Sequence, residues 1–467
     1  MARIYFDTNV FSNLRRNEVD AFQALKNRIT ELDHSLSFFF SVAHIRDKEK
    51  DKSDFKFDDF KFMESITKNN YLAYDPINKI TNYYLATPQE VFEDEIGEDY
   101  SFNFSKLLAE QDEDDDFLKD MKRMFSSKII DLKCLNTDSL TVDHSALIKK
   151  MLPQGNKRVS LSDILDQQIK FNADLYENYD SYKQLRTLLD QEINKGKITL
   201  KNNFDFNSAL QNTQINKTFF EYVKDLMYQP DKNNLPFYEY YLMSYKLLDM
   251  LGISKDKLSH KNSLNNQDND GLHSYFASYC DFFVSDDAKI REKSKALYNS
   301  FDIETIVLSS SEFLGKLVEL FEIRQNTLKR FLEKLVYIFV NFEKENEVEL
   351  NGLKISKFKK SFLFFGFFNS IIQVQYPDNC FSFFMFKSQS HNLSEPNYHE
   401  LNQIINYAIE QFGIDLDMKG KCNLEVGEKY PKDFFDRKWH FGNFFFELCH
   451  SEIVDGKYTF AVHQKEK

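Results

Sequence analysis

The chain has 467 residues, 42% of them hydrophobic and 16% aromatic, with only 13 Gly and 8 Pro. That composition excludes extended disorder and leaves room for two or three domains of about 100–200 residues each. The formal net charge is −13, but residues 90–116 hold twelve acids against one base, so the rest of the chain is close to neutral and does not read as a nucleic-acid-coating protein.

Five scattered cysteines, none in a Cys-x-x-Cys pair, predict reduced thiols. The sequence shows neither a secretory start nor a run near the roughly 20 apolar residues of a membrane helix, so a soluble, cytoplasmic protein with no membrane partner is expected.

In chain order, Ile4-Tyr5-Phe6-Asp7-Thr8-Asn9-Val10 reads as a short buried strand ending at a carboxylate. Thr8 or Asn9 is placed to cap the helix that follows. Val19, Phe22, Leu25 and Ile29 recur at helical spacing. Residues 36–42 form a continuous apolar run, as expected of a strand buried on both faces of a parallel sheet. Residues 43–50 turn polar and helical. Residues 51–261 read as a mostly helical insertion, with helices marked by Leu161 to Tyr179, Phe219 to Leu226 and Tyr240 to Leu248. Residues 262–322 return to α/β texture: a helix opening near Asp270, a strand at 282–285, a basic helix, a strand at 305–308 and a further helix. Residues 323–467 read as a separate α+β unit, with a long helix around Leu328 to Phe339, aromatic strands and a helix near 400–412. The predicted fold class is α/β: a doubly wound parallel sheet from residues 1–50 and 262–322, a large helical insertion and a C-terminal α+β domain.

Two strands that each deliver acids to their C-terminal ends put carboxylates in the crevice where open α/β sheets bind ligands. Asp7 ends the first strand. Asp47 follows the second strand in Ser41-Val42-Ala43-His44-Ile45-Arg46-Asp47. Asp270 sits in Asp268-Asn269-Asp270-Gly271-Leu272-His273 at the expected start of a helix, with Asp268 its competitor. Asp286 and Asp287 follow the strand that ends at Ser285. Each acid has an ordinary alternative as a cap or turn residue. Gathered together they would repel one another, about 1 kcal/mol per pair at 4 Å even in water, unless a cation offsets it.

The order strand-Asp-Thr-Asn-helix, strand-Ser-x5-acid, helix-opening Asp, then strand-Ser-x-Asp resembles the PIN domain family of nucleases. Asp stands here for the usual Glu at position 47, and Ser285 for the usual Thr. The resemblance covers residues 1–50 and 262–322. It implies a metal-dependent endoribonuclease in which Asp7, Asp47, Asp270 and Asp287 surround one or two Mg2+ or Mn2+ ions. Hydrolysis would leave a 5′-phosphate and a 3′-hydroxyl. A haloacid-dehalogenase reading fits less well, because that chemistry wants Asp-x-Asp and Asn9 occupies the third position.

Candidate substrate contacts are Asn9, Ser285, Asp286, Lys289 and Arg291, the two cations continued along the same helix by Lys293 and Lys295. Residues 354–360 interleave bases with Phe358, which suits either a single-stranded RNA platform or an edge strand guarded by lysines. The expected partner is RNA, single-stranded or structured, with tRNA among the candidates, together with a regulatory partner or a second copy of the chain. The layout suggests a regulated RNA-cleaving toxin or phage-defence effector. The rival expectations are a catalytically silent PIN-like RNA- or protein-binding module and a DNA-directed structure-specific nuclease.

Overall fold

The computed structural model describes residues 2–16, 18–32, 35–49, 51–96, 129–131, 150–153, 158–200, 205–227, 235–257, 264–324, 333, 337, 344–350, 352–358, 364–378, 380–388, 393, 395–424 and 430–464. Contacts divide the chain into two compact units, residues 1–91 with 273–467, and residues 92–272.

The first unit opens with β1 (Ala2–Phe6), α1 (Thr8–Arg16), α2 (Asp20–Glu31), β2 (Leu36–Ser41), α3 (Val42–Glu49), α4 (Phe55–Thr67) and the hairpin β3 (Asn70–Asp75) and β4 (Ile80–Leu85). Helix α5 (Pro88–Ile96) leads out of it. The second unit holds β5 (Ile129–Asp131), β6 (Arg158–Ser160), α6 (Leu161–Glu177), α7 (Tyr179–Leu189), α8 (Phe206–Ala209), α9 (Phe219–Leu226) and α10 (Phe237–Met250). Helix α11 (Leu264–Ala277) runs across the division. The first unit then resumes with β7 (Phe282–Val284), α12 (Ala288–Ser300), β8 (Ile306–Leu308) and α13 (Ser310–Arg324). It ends with β9 (Lys344–Leu350), β10 (Leu353–Phe358), β11 (Ser370–Gln375), β12 (Phe381–Phe386), α14 (Tyr398–Phe412), β13 (Arg437–Phe441), β14 (Phe444–Ser451) and β15 (Lys457–Gln464).

The fold is mixed α/β, with one parallel-containing sheet and a separate antiparallel sheet. The first sheet has the order β4-β3-β2-β1-β7-β8. Only β3 and β4 pair antiparallel in it. Every residue of β1 and β2 is buried, so both faces of these strands are covered, as their unbroken apolar runs require. From β1 the chain moves to β2 and β3 on one side and later returns to β7 and β8 on the other. The carboxyl ends of β1 and β7 therefore flank the place where the strand order reverses, the usual ligand crevice of such sheets.

The hairpin departs from the helical insertion expected over residues 51–261. Residues 70–85 extend the sheet instead. The Asp75 carboxylate accepts from the Ile77 and Asn78 amides at 2.8 and 3.1 Å, and Lys79 takes a φ of 57°, which closes the turn. In the second unit the helices expected near 161–179, 219–226 and 240–248 are present. The carboxylate of Asp249, on α10, is buried there and accepts from Tyr182 (2.7 Å), Arg186 (3.1 Å) and the Asp256 amide (2.7 Å), which leaves no cost of unpaired burial.

The second sheet has the order β13-β14-β15-β12-β11-β10-β9 and is antiparallel throughout. Helix α14 buries Leu401, Ile404, Ile405, Ala408 and Phe412 against strand residues such as Met385, Phe446 and Phe460. This sheet was expected to be a separate domain beginning at residue 323, yet the contacts group it with residues 1–91. A buried polar network explains why. The Arg3 guanidinium grips the Glu400 carboxylate through two bonds of 2.8 and 2.7 Å. Asp281 accepts from Lys387 (2.7 Å), Asn369 (3.1 Å) and the Arg3 amide (2.8 Å). Strand β10 is interior, not an edge, and Lys354 and Lys357 pair with Glu347 (2.8 Å) and Glu345 (3.0 Å). The helix expected around Leu328 to Phe339 and the acid-rich run from residue 97 fall largely outside the described residues. Among those described, no helix is long and apolar enough to cross a membrane.

Burial alone would push the Glu400 carboxyl up, but Arg3 more than offsets it and holds the pKa at about 2. A depressed carboxyl contributes stability that is complete above its ordinary value of about 4.3 and is lost as pH falls toward its folded value. Glu400→Gln is expected to cost about 3–5 kcal/mol at neutral pH, as for other broken buried pairs. It should also flatten the acid limb of the stability curve below about pH 4.3. Denaturant titrations across that range check both outcomes.

Candidate metal centre

Three chain segments converge at the carboxyl edge of the parallel sheet. The amide of Asp7 donates to the Val284 carbonyl at 2.9 Å, which carries the β1–β7 pairing one residue past the strand. Its own carbonyl accepts from Val10 and Phe11 and opens α1. The Asp7 side chain, in a residue only 2% exposed, accepts from Ser285 Oγ at 2.9 Å. Asp47 comes from α3, which begins directly after β2. Its Oδ2 accepts from His273 Nε2 at 2.9 Å, and Thr8 Oγ1 lies 3.2 Å from the same nitrogen. His273 is delivered by α11 and is 1% exposed. One ligand atom from each of Asp7, Asp47 and His273 lies within 4.8 Å of the others, the set of groups among the described residues that could hold a metal ion.

A buried polar layer stands behind the imidazole. Tyr5 OH lies 3.0 Å from His273 Nδ1 and 2.6 Å from Ser41 Oγ. The Ser41 amide donates to His44 Nδ1 at 3.2 Å, so that nitrogen carries no proton and His44 Nε2 donates to the Phe6 carbonyl at 2.7 Å. His44 is therefore a neutral packing residue that fixes the end of β1 to the start of α3. Its ring meets that of His273 edge to face, with centroids 4.7 Å apart.

The electrostatics follow from burial and from these partners. Burial pushes the Asp7 carboxyl above the ordinary carboxylate range, and the Asp47 charge adds to this against the pull of His273 and Ser285. Burial also opposes the charge on Asp47, but the hydrogen bond and charge of His273 win and hold it at about 2. Burial pulls His273 down, and the bond to Asp47 with the charges of Asp47 and Asp7 reverses the sign, so its pKa is raised. Burial and the neighbouring His273 charge pull His44 to about 3.

Of the four acids expected to converge, the cluster contains Asp7 and Asp47. Asp270 was expected to open a helix; α11 already begins at Leu264, and Asp270 lies in its interior, on the second unit, one turn before His273. Its neighbour Asp268 pairs with Lys246 (2.9 Å) and Tyr176 (2.7 Å). Asp287 is the N-cap of α12, accepting from the Lys289 and Ile290 amides at 2.6 and 3.1 Å. Asp286 takes the Ser310 amide and hydroxyl at 2.9 and 2.7 Å, at the start of α13. Among the expected substrate contacts, Asn9 is exposed in the first turn of α1, and Ser285 orients Asp7. Lys289 pairs with Glu292 (2.6 Å), Arg291 donates to the Ser285 carbonyl (2.6 Å), and Lys293 is buried. The sequence reading missed His273 and Tyr5. A usable signal for Tyr5 is strand parity, which puts it on the same face as Asp7.

Comparison of the chain with known protein families, with curated proteins and with solved structures returned no match.

A raised carboxyl destabilises the fold whenever it is ionised, so Asp7→Asn is expected to raise the denaturation midpoint of the metal-free protein at pH 7. Asp47→Asn acts oppositely. A raised histidine contributes stability that is complete below about pH 6.5 and is lost as pH rises through its folded value. Asp47→Asn should therefore cost about 1.5–3 kcal/mol at pH 6, as for a hydrogen bond to a charged group, and less at pH 9. Denaturation of both variants at the two pH values, in chelator, is the check.

Proposed function

We propose that the protein is a metal-dependent endoribonuclease of PIN-like, doubly wound architecture, acting at Asp7, Asp47 and His273. The observation that carries this reading is the pairing of a buried carboxylate at the end of β1 with a half-buried one on α3, with ligand atoms within 4.8 Å of each other and of a buried imidazole nitrogen. An ion pair with His273 needs only one acid; the second is an unfavourable charge that a divalent cation would neutralise. The donor set of two carboxylate oxygens and one nitrogen fits such an ion. When bound, the ion would supply Lewis acidity to a scissile phosphate and lower the pKa of an attacking water.

The chain's own residues would do the remaining work. Ser285 holds the Asp7 carboxylate, and Tyr5 holds the direction of the His273 ring. The first turn of α1 opens beside Asp7, where the helix dipole favours a phosphate group. Asn9 is exposed on that turn and is suited to contact the ribose-phosphate backbone.

A second reading is favoured by one specific observation: Asp287 is used on a helix cap, so the cluster has fewer free acids than the four expected. That would suit a silent PIN-like module that binds RNA or a protein partner without cutting. The two separate on one experiment, incubation of total RNA with the purified chain and Mg2+ or Mn2+, against chelator. Cleavage that yields 5′-phosphate ends, lost in Asp7→Asn and Asp47→Asn by roughly a hundred-fold or more, is the expected result. Asp286→Asn should cut at the normal rate and lose only about 1 kcal/mol of stability, as expected for a helix-end contact. Retained RNA binding with no cutting under any metal would favour the silent module, and a preference for flap or single-stranded DNA would favour a DNA-directed nuclease.

A further inference from the structure

We infer that His273 makes this a mixed nitrogen-and-oxygen centre, which takes a divalent first-row transition ion in preference to Mg2+. The inference rests on the reading of the cluster as a metal centre and names the class of ion that centre selects. Four aspartates would have offered oxygen alone, the donor set that suits Mg2+. Here the buried position facing Asp7 and Asp47 is held by an imidazole instead.

The nitrogen that faces the acids is fixed. His273 Nδ1 lies 3.0 Å from Tyr5 OH, and that hydroxyl is itself tied to Ser41 Oγ at 2.6 Å. The ring is wedged edge-on between His44 and Tyr5, with centroids at 4.7 and 5.8 Å. Nε2 is directed toward Asp47 Oδ2 and Thr8 Oγ1, and an ion bound there would displace the proton that Nε2 shares with Asp47, while Nδ1–H donates to Tyr5 OH. Charge balance agrees. A neutral imidazole with two carboxylates carries −2, which matches one divalent cation. Imidazole is a poor donor to Mg2+, and affinity for it rises along the transition series, so a fixed nitrogen discriminates where an all-oxygen site does not. Tyr5 is on this account a positioning residue: it touches the ligand, not the ion.

Mn2+ is the least tightly held ion of that series and is paramagnetic, which makes it a stringent probe. The full-length protein is titrated with Mn2+ alone, the free ion is followed by electron paramagnetic resonance, and Mg2+ is then added as competitor. The expected result is binding of Mn2+ roughly tenfold or more tighter than Mg2+, with electron-spin-echo modulation from a coordinated nitrogen that vanishes in His273→Gln. Tyr5→Phe keeps the ring and its packing while removing the hydroxyl, so it remains informative if His273→Gln fails to fold. It should weaken Mn2+ by about 10–100-fold, as for other outer-shell partners, and leave Mg2+ affinity nearly unchanged. Bound Mn2+ without nitrogen modulation, or Mg2+ displacing it at equal concentration, would overturn the inference and leave the metal centre standing. Failure of the wild-type chain to bind Mn2+ at all would overturn the metal centre itself.

Discussion

Asp7 is a carboxylate with almost no exposure at the end of a strand covered on both faces, and the residues around it are arranged to tolerate that charge. Ser285 donates to it, and His273 supplies a counter-charge across the cluster. Neither of these is enough to return its pKa to the ordinary range. A fold that keeps such a group gives up some stability for it, and that is a common mark of a site kept for chemistry rather than for packing.

Strand β1 links this edge to the rest of its unit. Its residues alternate, with Ile4 and Phe6 on one face and Arg3 and Tyr5 on the other, the latter continued by Asp7. Each member of the polar row has its own partner. Arg3 reaches Glu400 on α14, the helix packed on the antiparallel sheet, Tyr5 reaches His273 and Ser41, and Asp7 reaches Ser285. The same strand therefore anchors the second sheet at its start and the acid cluster at its end. Buried charges of this kind add little net stability against a well-packed apolar alternative, but they admit few competing arrangements.

Much of this is legible in the sequence, and the failures have physical causes. The apolar runs at β1, β2 and β7, the helices after them and the placement of Asp7, Asp47 and Ser285 follow from periodicity and from where strands end. Asp287 resembles Asp7 in sequence, but a helix begins directly after it and its carboxylate satisfies amides that would otherwise be bare. A linear pattern does not separate an acid used on a cap from one left to bind. His273 sits among Leu272, Tyr275 and Phe276, all buried, so it reads as core. Its role appears only once α11 is placed against β1. The strands at 70–85 were hidden by mixed aromatic and polar residues in a stretch of helical texture, although Asp75-Pro76-Ile77-Asn78 between two tyrosine-rich runs is a turn signal. The C-terminal sheet was separable by texture but not by contact, because Arg3 and Glu400 are 397 residues apart.

The pairing of β1 with β7 has a consequence for how the molecule is made. Asp7 and Ser285 are 278 residues apart, and His273 is nearly as distant from Asp7. At synthesis rates of about 5–20 residues per second, β1 emerges from the ribosome roughly 15 s to a minute before the strand that completes its second edge. During that interval Asp7 has neither its hydroxyl donor nor the imidazole. The acid cluster cannot assemble on the growing chain until His273 and Ser285 have been translated, and until then β1 keeps an unpaired edge open to wrong partners.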